Sequence, residues 1–73
     1  MRYALTAGPA DTGARVVLRR RLPDGRLTDV LGHVLLWAGG VVRLRTRDGL
    51  VVEVPEVDLV AAKRVPEAPA RRP

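Results

Sequence analysis

The sequence predicts an all-β domain, a small five-stranded SH3-like barrel with one 3₁₀ turn before its last strand. Three observations lead to this class. Short stretches alternate apolar with polar residues, turn signals rich in Gly and Pro separate them, and no longer stretch shows a helical stripe. The patterned part of the 73-residue chain is too short for a β-sandwich. An OB-like barrel is the runner-up, but it normally needs more residues and often a helix between strands.

The first elements are a lead-in and a hairpin. Residues 1–13 contain several turn formers without a sustained period, so we expect a flexible N-terminal lead-in, with Tyr3 or Leu5 touching the core. A first strand follows at about Arg15–Leu22. The Pro-Asp-Gly sequence at 23–25 then predicts a tight turn, because Pro presets φ and Gly accepts a positive φ.

The second strand, Leu27–Ala38, is long and partly apolar on both faces. Such a strand suits a small barrel, where it contributes to two halves of the sheet. Gly32 in its middle predicts a bulge or a sharp bend. Gly39-Gly40 forms the next turn.

The third and fourth strands, Val41–Thr46 and Leu50–Val54, form a hairpin whose register can be predicted. A two-residue loop would place charged and core residues on one face. A three-residue loop at 47–49 sets Leu44 opposite Val52 and separates the two faces. The sequence therefore predicts a type I turn followed by a glycine bulge.

The remaining residues are expected to form the last turn and strand of the barrel and a C-terminal tail. Gly49 is expected in the left-handed region, where β-branched residues are strained. Residues 55–59 predict one 3₁₀ turn, and residues 60–65 a short closing strand. The barrel thus spans 14–66, and 67–73 are expected to be a disordered tail or linker rich in Pro, Ala and Arg.

Composition limits where the protein works. The core must come mainly from Val and Leu, because the chain lacks Phe and Ile. It also lacks Cys, which excludes disulfides and thiolate metal sites and fits a cytoplasmic location. No apolar run approaches the roughly 18 residues of a membrane span. The N-terminus has no apolar segment typical of a signal peptide.

Catalytic chemistry is not predicted in this chain, so no catalytic, cofactor-binding or metal-binding residue is assigned. Ser and Cys are absent, and His33 is the only histidine, expected as a surface or edge imidazole. Asp24 and Asp48 form turns. Asp29 is expected to pair across the first hairpin with Arg19 or Arg20, depending on register.

Binding is the remaining class of function. The net charge is +5, and all but one of the 13 Lys and Arg residues are Arg, a bias that a GC-rich genome also explains. Alternation places basic side chains on one outer face of the third strand and a second group on the first. The candidate binding stripe comprises Arg19, Arg21, Arg43, Arg45, Arg47 and Trp37.

Two interpretations of this stripe stay open. It is either a binding surface or a solvated face balanced by Asp29 and Glu53, with Arg43 opposite Glu53. Trp37 is either a core residue or an exposed contact for a partner. Nucleic acid is one candidate partner, although readers of single strands usually add stacking aromatics, which are scarce here.

Three strings resemble a known family: "RVVLRRRLPDGRLTDVLGHVL", "VVRLRTRDGLVVEVP" and "VDLVAAKRVP". Over about Ala14–Pro66 they are similar to the N-terminal SH3-like domain of actinobacterial GNAT-type N-acetyltransferases. "LTDVLG" and "VAAKRVP" are the most specific parts, and neither is a catalytic motif. The resemblance implies a docking module followed by a GNAT domain that binds acetyl-CoA and acetylates an amine.

This chain departs from that family in one respect. It contains no acetyl-CoA pyrophosphate loop, so no acetyl-CoA contact is assigned to any residue here. The resemblance implies either an excised domain or a stand-alone relative, with "PEAPARRP" as the start of a linker. We therefore expect a non-catalytic interaction or positioning module, whose partner is a neighbouring acetyltransferase domain or another protein. A small basic nucleic-acid-binding barrel is the alternative.

Overall fold

The structure is a computed structural model that describes residues 4–67, with side chains described from residue 6 onward. One sheet contains all of the strands in this part of the chain. The strands are β1 (Ala4–Leu5), β2 (Arg15–Arg21), β3 (Leu27–Ala38), β4 (Val41–Arg45), β5 (Val51–Pro55) and β6 (Leu59–Arg64). Two 3₁₀ turns, Pro9–Asp11 and Glu56–Asp58, are the helical elements of the described residues.

The sheet confirms the predicted fold class. Its order is β1-β6-β2-β3-β4-β5, and the predicted five strands appear as β2 to β6 with bounds within one residue. The predicted 3₁₀ turn lies directly before β6. β3 pairs with β2 along Leu27–His33 and with β4 along His33–Ala38, so one long strand joins both halves of a barrel-like sheet.

The concave side of the sheet holds the core. β2, β3 and β4 alternate buried with more exposed residues, as expected for strands with one face inside. Leu18 and Leu44 are fully buried. The buried apolar residues are Ala7, Val16, Leu18, Val30, Val34, Trp37, Val42, Leu44, Val54, Leu59 and Ala62.

The β4–β5 hairpin has the predicted register. Leu44 lies opposite Val52, and Arg43 lies opposite Glu53. The Gly49 amide donates to the Thr46 carbonyl at 2.9 Å, which closes a type I turn, and Gly49 has φ +83°. The three-residue loop and the left-handed glycine are therefore both confirmed.

The N-terminal segment differs from the expected lead-in over its described part. β1 pairs in parallel with β6, and the Thr6 amide donates to the Ala62 carbonyl at 2.8 Å. Ala7 is buried in the core. A two-residue parallel strand has no periodicity that a sequence pattern could reveal. The proposed contacts of the Tyr3 and Leu5 side chains, and the tail beyond Glu67, lie outside what the structure describes.

The irregularity in β3 is three residues away from the expected position. The register against β4 shifts between Val34 and Leu36, so the bulge lies at Leu35 and not at Gly32. Gly32 allows a close backbone contact instead. A Cβ at this position would lie 2.5 Å from the Arg45 carbonyl oxygen, which is inside van der Waals contact. The glycine thus lets β4 approach β3 above the core.

The described residues include no helix long and apolar enough to span a bilayer.

Candidate binding face

The convex, outer face of the sheet carries the charged residues that the sequence singled out. Arg19 on β2 and Arg43 and Arg45 on β4 alternate with the buried residues Leu18, Val42 and Leu44, so they lie on the outer face. Arg21 is exposed at the end of β2. Arg47 does not continue the β4 stripe, since β4 ends at Arg45 and Arg47 lies in the hairpin loop. The long β3 separates the two groups of arginines.

Two of these arginines are neutralised by acidic residues on adjacent strands. The Arg19 Nε donates to Asp29 Oδ1 at 2.9 Å, so the register selects Arg19 over Arg20 as the partner of Asp29. Arg43 Nη2 lies 2.6 Å from Glu53 Oε2. The hydrogen bond from Arg19 lowers the pKa of Asp29, and the same bond raises the pKa of Arg19. This part of the face is charge-balanced.

Three candidate arginines keep an unbalanced charge. Within residues 4–67, Arg21, Arg45 and Arg47 form no ion pair with a carboxylate. Arg45 and Arg47 belong to the same hairpin, whereas Arg21 lies at the far end of β2. Two of these three candidate arginines therefore lie on the β4–β5 hairpin.

Trp37 belongs to the core and not to the outer face. It is 6% exposed, and its indole Nε1–H donates to the Glu56 carboxylate on the second 3₁₀ turn. This geometry decides between the two interpretations of Trp37, since a buried indole with a satisfied N–H cannot stack on an external ligand. The sheet face is left without an exposed aromatic among the described residues.

Sequence reasoning missed a row of three basic side chains on the outer face, at the start of β2, the middle of β3 and the end of β4. Arg15 on β2 lies opposite His33 on β3, and His33 lies opposite Arg45 on β4. His33 is exposed, as expected, but its Nε2 is 2.7 Å from Glu67 Oε1. That bond lowers the pKa of Glu67. No sequence signal could have found this contact, because 34 positions separate the two residues.

A shallow groove lies beside the Arg19–Asp29 pair. Its volume is about 180 Å³, and its lining includes Val17, Ala61 and Lys63. Small-molecule sites usually have roughly 300–1,000 Å³, so this groove is too small for a typical cofactor. Across residues 4–67, no three His, Asp or Glu side chains are grouped to hold a metal ion.

Comparison with known proteins shows the domain family to which this chain belongs. The family model described as the Rv0428c N-terminal Sm-like domain matches residues 10–63. The chain is 42% identical over 62 residues to the "Probable histone acetyltransferase Rv0428c" of Mycobacterium tuberculosis (strain ATCC 25618 / H37Rv). That alignment covers 81% of this chain and 20% of the relative. No solved structure matches the chain.

Proposed function

The chain belongs to the Rv0428c N-terminal Sm-like domain family, and we propose that it is a non-catalytic module that positions a neighbouring acetyltransferase domain. One observation carries this proposal. The chain aligns with a fifth of a relative named as an acetyltransferase, in a family described as an N-terminal domain. Most of the relative therefore lies outside the Sm-like domain and is available to hold the chemistry.

The two domains are proposed to have different roles, with the chemistry in the neighbouring domain. We propose that the neighbouring domain is of the GNAT type, binds acetyl-CoA and transfers the acetyl group to an amine, all in the cytoplasm. The Sm-like domain contributes a rigid sheet with a charged outer face. Arg45 and Arg47 are suited to binding a carboxylate or phosphate on the acceptor or on the neighbouring domain, because the guanidinium group binds such anions in a bidentate manner.

The coding sequence downstream of Pro73 tests the arrangement. We expect it to continue into a GNAT domain, or to lie beside an acetyltransferase gene. A stop codon directly after Pro73 with no acetyltransferase gene nearby would contradict the proposal.

The two-domain protein then allows a biochemical test. Deleting the Sm-like domain should raise KM for a macromolecular acceptor while acetyl-CoA hydrolysis stays unchanged, because the chemistry lies elsewhere. Arg45→Gln with Arg47→Gln should reproduce part of this loss, and Arg43→Gln serves as the matched control, since Glu53 neutralises Arg43. An equal effect of all three substitutions would contradict a role for the unpaired hairpin charges.

Nucleic-acid binding is the second candidate. It is favoured by the +5 charge and by the unpaired Arg45 and Arg47 on one hairpin. It receives less support than the first candidate, because Trp37 is buried and Arg19 and Arg43 are neutralised.

A gel-shift titration at two salt concentrations tests this candidate directly. Affinity for duplex DNA should fall with a log–log slope of about 0.9 per phosphate contact. Reversal of Arg43, Arg45 and Arg47 to Glu should abolish the shift, and the absence of a shift at low salt for the unchanged protein would eliminate nucleic acid as the partner.

A further inference from the structure

The chain does not leave the barrel along the axis of its last strand. After β6, the Val65 amide donates to the Arg15 carbonyl at 2.9 Å, which extends the ladder between β6 and β2 by one residue. The Arg15 Nη1 then donates to the Pro66 carbonyl at 2.8 Å. Glu67 reaches His33 on the next strand at 2.7 Å. Pro66 thus contacts a side chain of β2, and Glu67 contacts a side chain of β3.

Three features make this more than an incidental contact. Arg15 and His33 are direct cross-strand neighbours, so their side chains project side by side from the outer face. They provide different interactions, since the guanidinium binds a backbone carbonyl and the imidazole binds a carboxylate. Proline also restricts the chain between the two contacts, because its φ is fixed.

We propose that Arg15 and His33 form a tail-binding pair that holds Pro66 and Glu67 against the outer face and so determines where the polypeptide leaves the domain. The chain then leaves the end of β6 on the side of β2 and β3, where Pro66 contacts Arg15 and Glu67 contacts His33. This inference rests on the proposed function for its consequence. A linker fixed at its first residues limits the orientations of a following domain more than a free one does.

The charges around the pair explain why Glu67 is a suitable ligand. Arg15 from β2 and Arg45 from β4 flank His33, and Glu67 is the carboxylate that contacts this row. The pKa of Glu67 is lowered first by the His33 hydrogen bond and further by the charges of His33 and Arg15. The side chains of His33 and Glu67 are 48% and 62% exposed, so the contact can open without disturbing the core.

A spin-label experiment on the 73-residue chain tests the exit path. The chain has no cysteine, so Ala70→Cys gives a single site for a nitroxide label. We expect paramagnetic broadening of the His33 and Arg45 amides, and its loss in an Arg15→Gln, His33→Gln variant. Uniform weak broadening over the whole sheet of the labelled chain that keeps Arg15 and His33 would overturn the proposal. Broadening of the His33 and Arg45 amides that persists in the double variant would also overturn it.

Two readouts without the label complete the test. In the wild-type chain, the ¹⁵N heteronuclear NOE of Glu67 should resemble that of β6, and it should fall in the double variant. Arg43→Gln, which changes an outer-face arginine that Glu53 already neutralises and that lies outside this row, should leave it unchanged. The carboxyl titration of Glu67 should move upward in His33→Gln. A wild-type NOE of Glu67 far below that of β6 would refute the tail-binding pair even if the downstream gene encodes an acetyltransferase.

Discussion

Replacing Gly32 by Ala tests whether the close approach of β4 to β3 holds the barrel together. The new Cβ would lie 2.5 Å from the Arg45 carbonyl oxygen and 3.0 Å from the Arg45 carbonyl carbon. Both are backbone atoms, so no flexible side chain can move aside. An ordinary C···O contact is about 3.3 Å, so β4 would have to retreat by about 0.8 Å.

That retreat has an energetic cost that can be estimated. The shift of β4 would disturb the cross-strand pairs His33–Arg45 and Val34–Leu44. The side chains of Val34 and Leu44 are both buried in the core. Overpacking of this kind costs about 1–3 kcal/mol. The reduced entropy of the unfolded chain offsets about 0.4–1 kcal/mol for a Gly→Ala change. The middles of these two ranges leave a net destabilisation of about 1.3 kcal/mol, or about 5–10 °C in Tm for a domain of this size.

Urea unfolding followed by Trp37 fluorescence measures this change, because Trp37 is buried and is the single tryptophan. With a slope of about 1 kcal/mol per molar urea, the midpoint should fall by about 1–2 M. Gly8→Ala is the matched control, since its Cβ meets nothing within 4 Å and its φ of −159° is extended. A Gly32→Ala midpoint equal to that of Gly8→Ala would refute the steric argument.

Three further predictions concern the hairpin, the core and the outer face. Gly49→Val should destabilise by about 1 kcal/mol or more, because φ +83° strains a β-branched residue, and the same urea titration measures it. Leu44→Ala should cost about 2–5 kcal/mol through loss of a fully buried side chain, so calorimetry should show a largely unfolded chain at 37 °C if the domain has ordinary marginal stability. The pKa of Asp29 is lowered by Arg19, so the pair's contribution is complete above the ordinary Asp pKa of about 3.9 and disappears as the pH falls through the lower value. The urea midpoint should therefore fall less between pH 7 and pH 3 in Asp29→Asn than in the wild type, and an identical fall would show that the pair does not contribute.

Local rules predicted the features that depend on neighbouring residues. The hairpin register followed from the period of two and from the turn around Gly49, which together leave one arrangement with separated faces. The partner of Asp29 stayed open between two arginines, since it depends on the loop of the first hairpin. A bulge or a sharp bend was expected at Gly32 because glycine often marks one, but the bulge is at Leu35 and Gly32 allows a close approach of β4.

Features that depend on distant contacts could not be predicted in the same way. β1 pairs with a strand 57 positions later, and two residues are too few to show a period. The location of Trp37 depended on whether an acceptor lay near its indole, and Glu56 became that acceptor only through the 3₁₀ turn after β5. The stripe of alternating arginines was visible in the sequence, whereas its neutralisation by Glu53 and Asp29 required a cross-strand register.

The ion pairs on the outer face determine which of its arginines can attract a charged partner. Cross-strand carboxylates balance Arg19 and Arg43, so these residues add little to the long-range potential. Arg15 and Arg45 form no ion pair among the described residues and flank His33 in one row, and the carboxylate that contacts this row comes from the tail, at Glu67. The electrostatics that would attract an acidic partner therefore also guide the exit of the polypeptide. A partner that binds this row must either compete with Glu67 or bind beside it at Arg45, and comparing its affinity for wild type and Glu67→Gln distinguishes the two: tighter binding to Glu67→Gln indicates competition, and equal binding places the partner at Arg45.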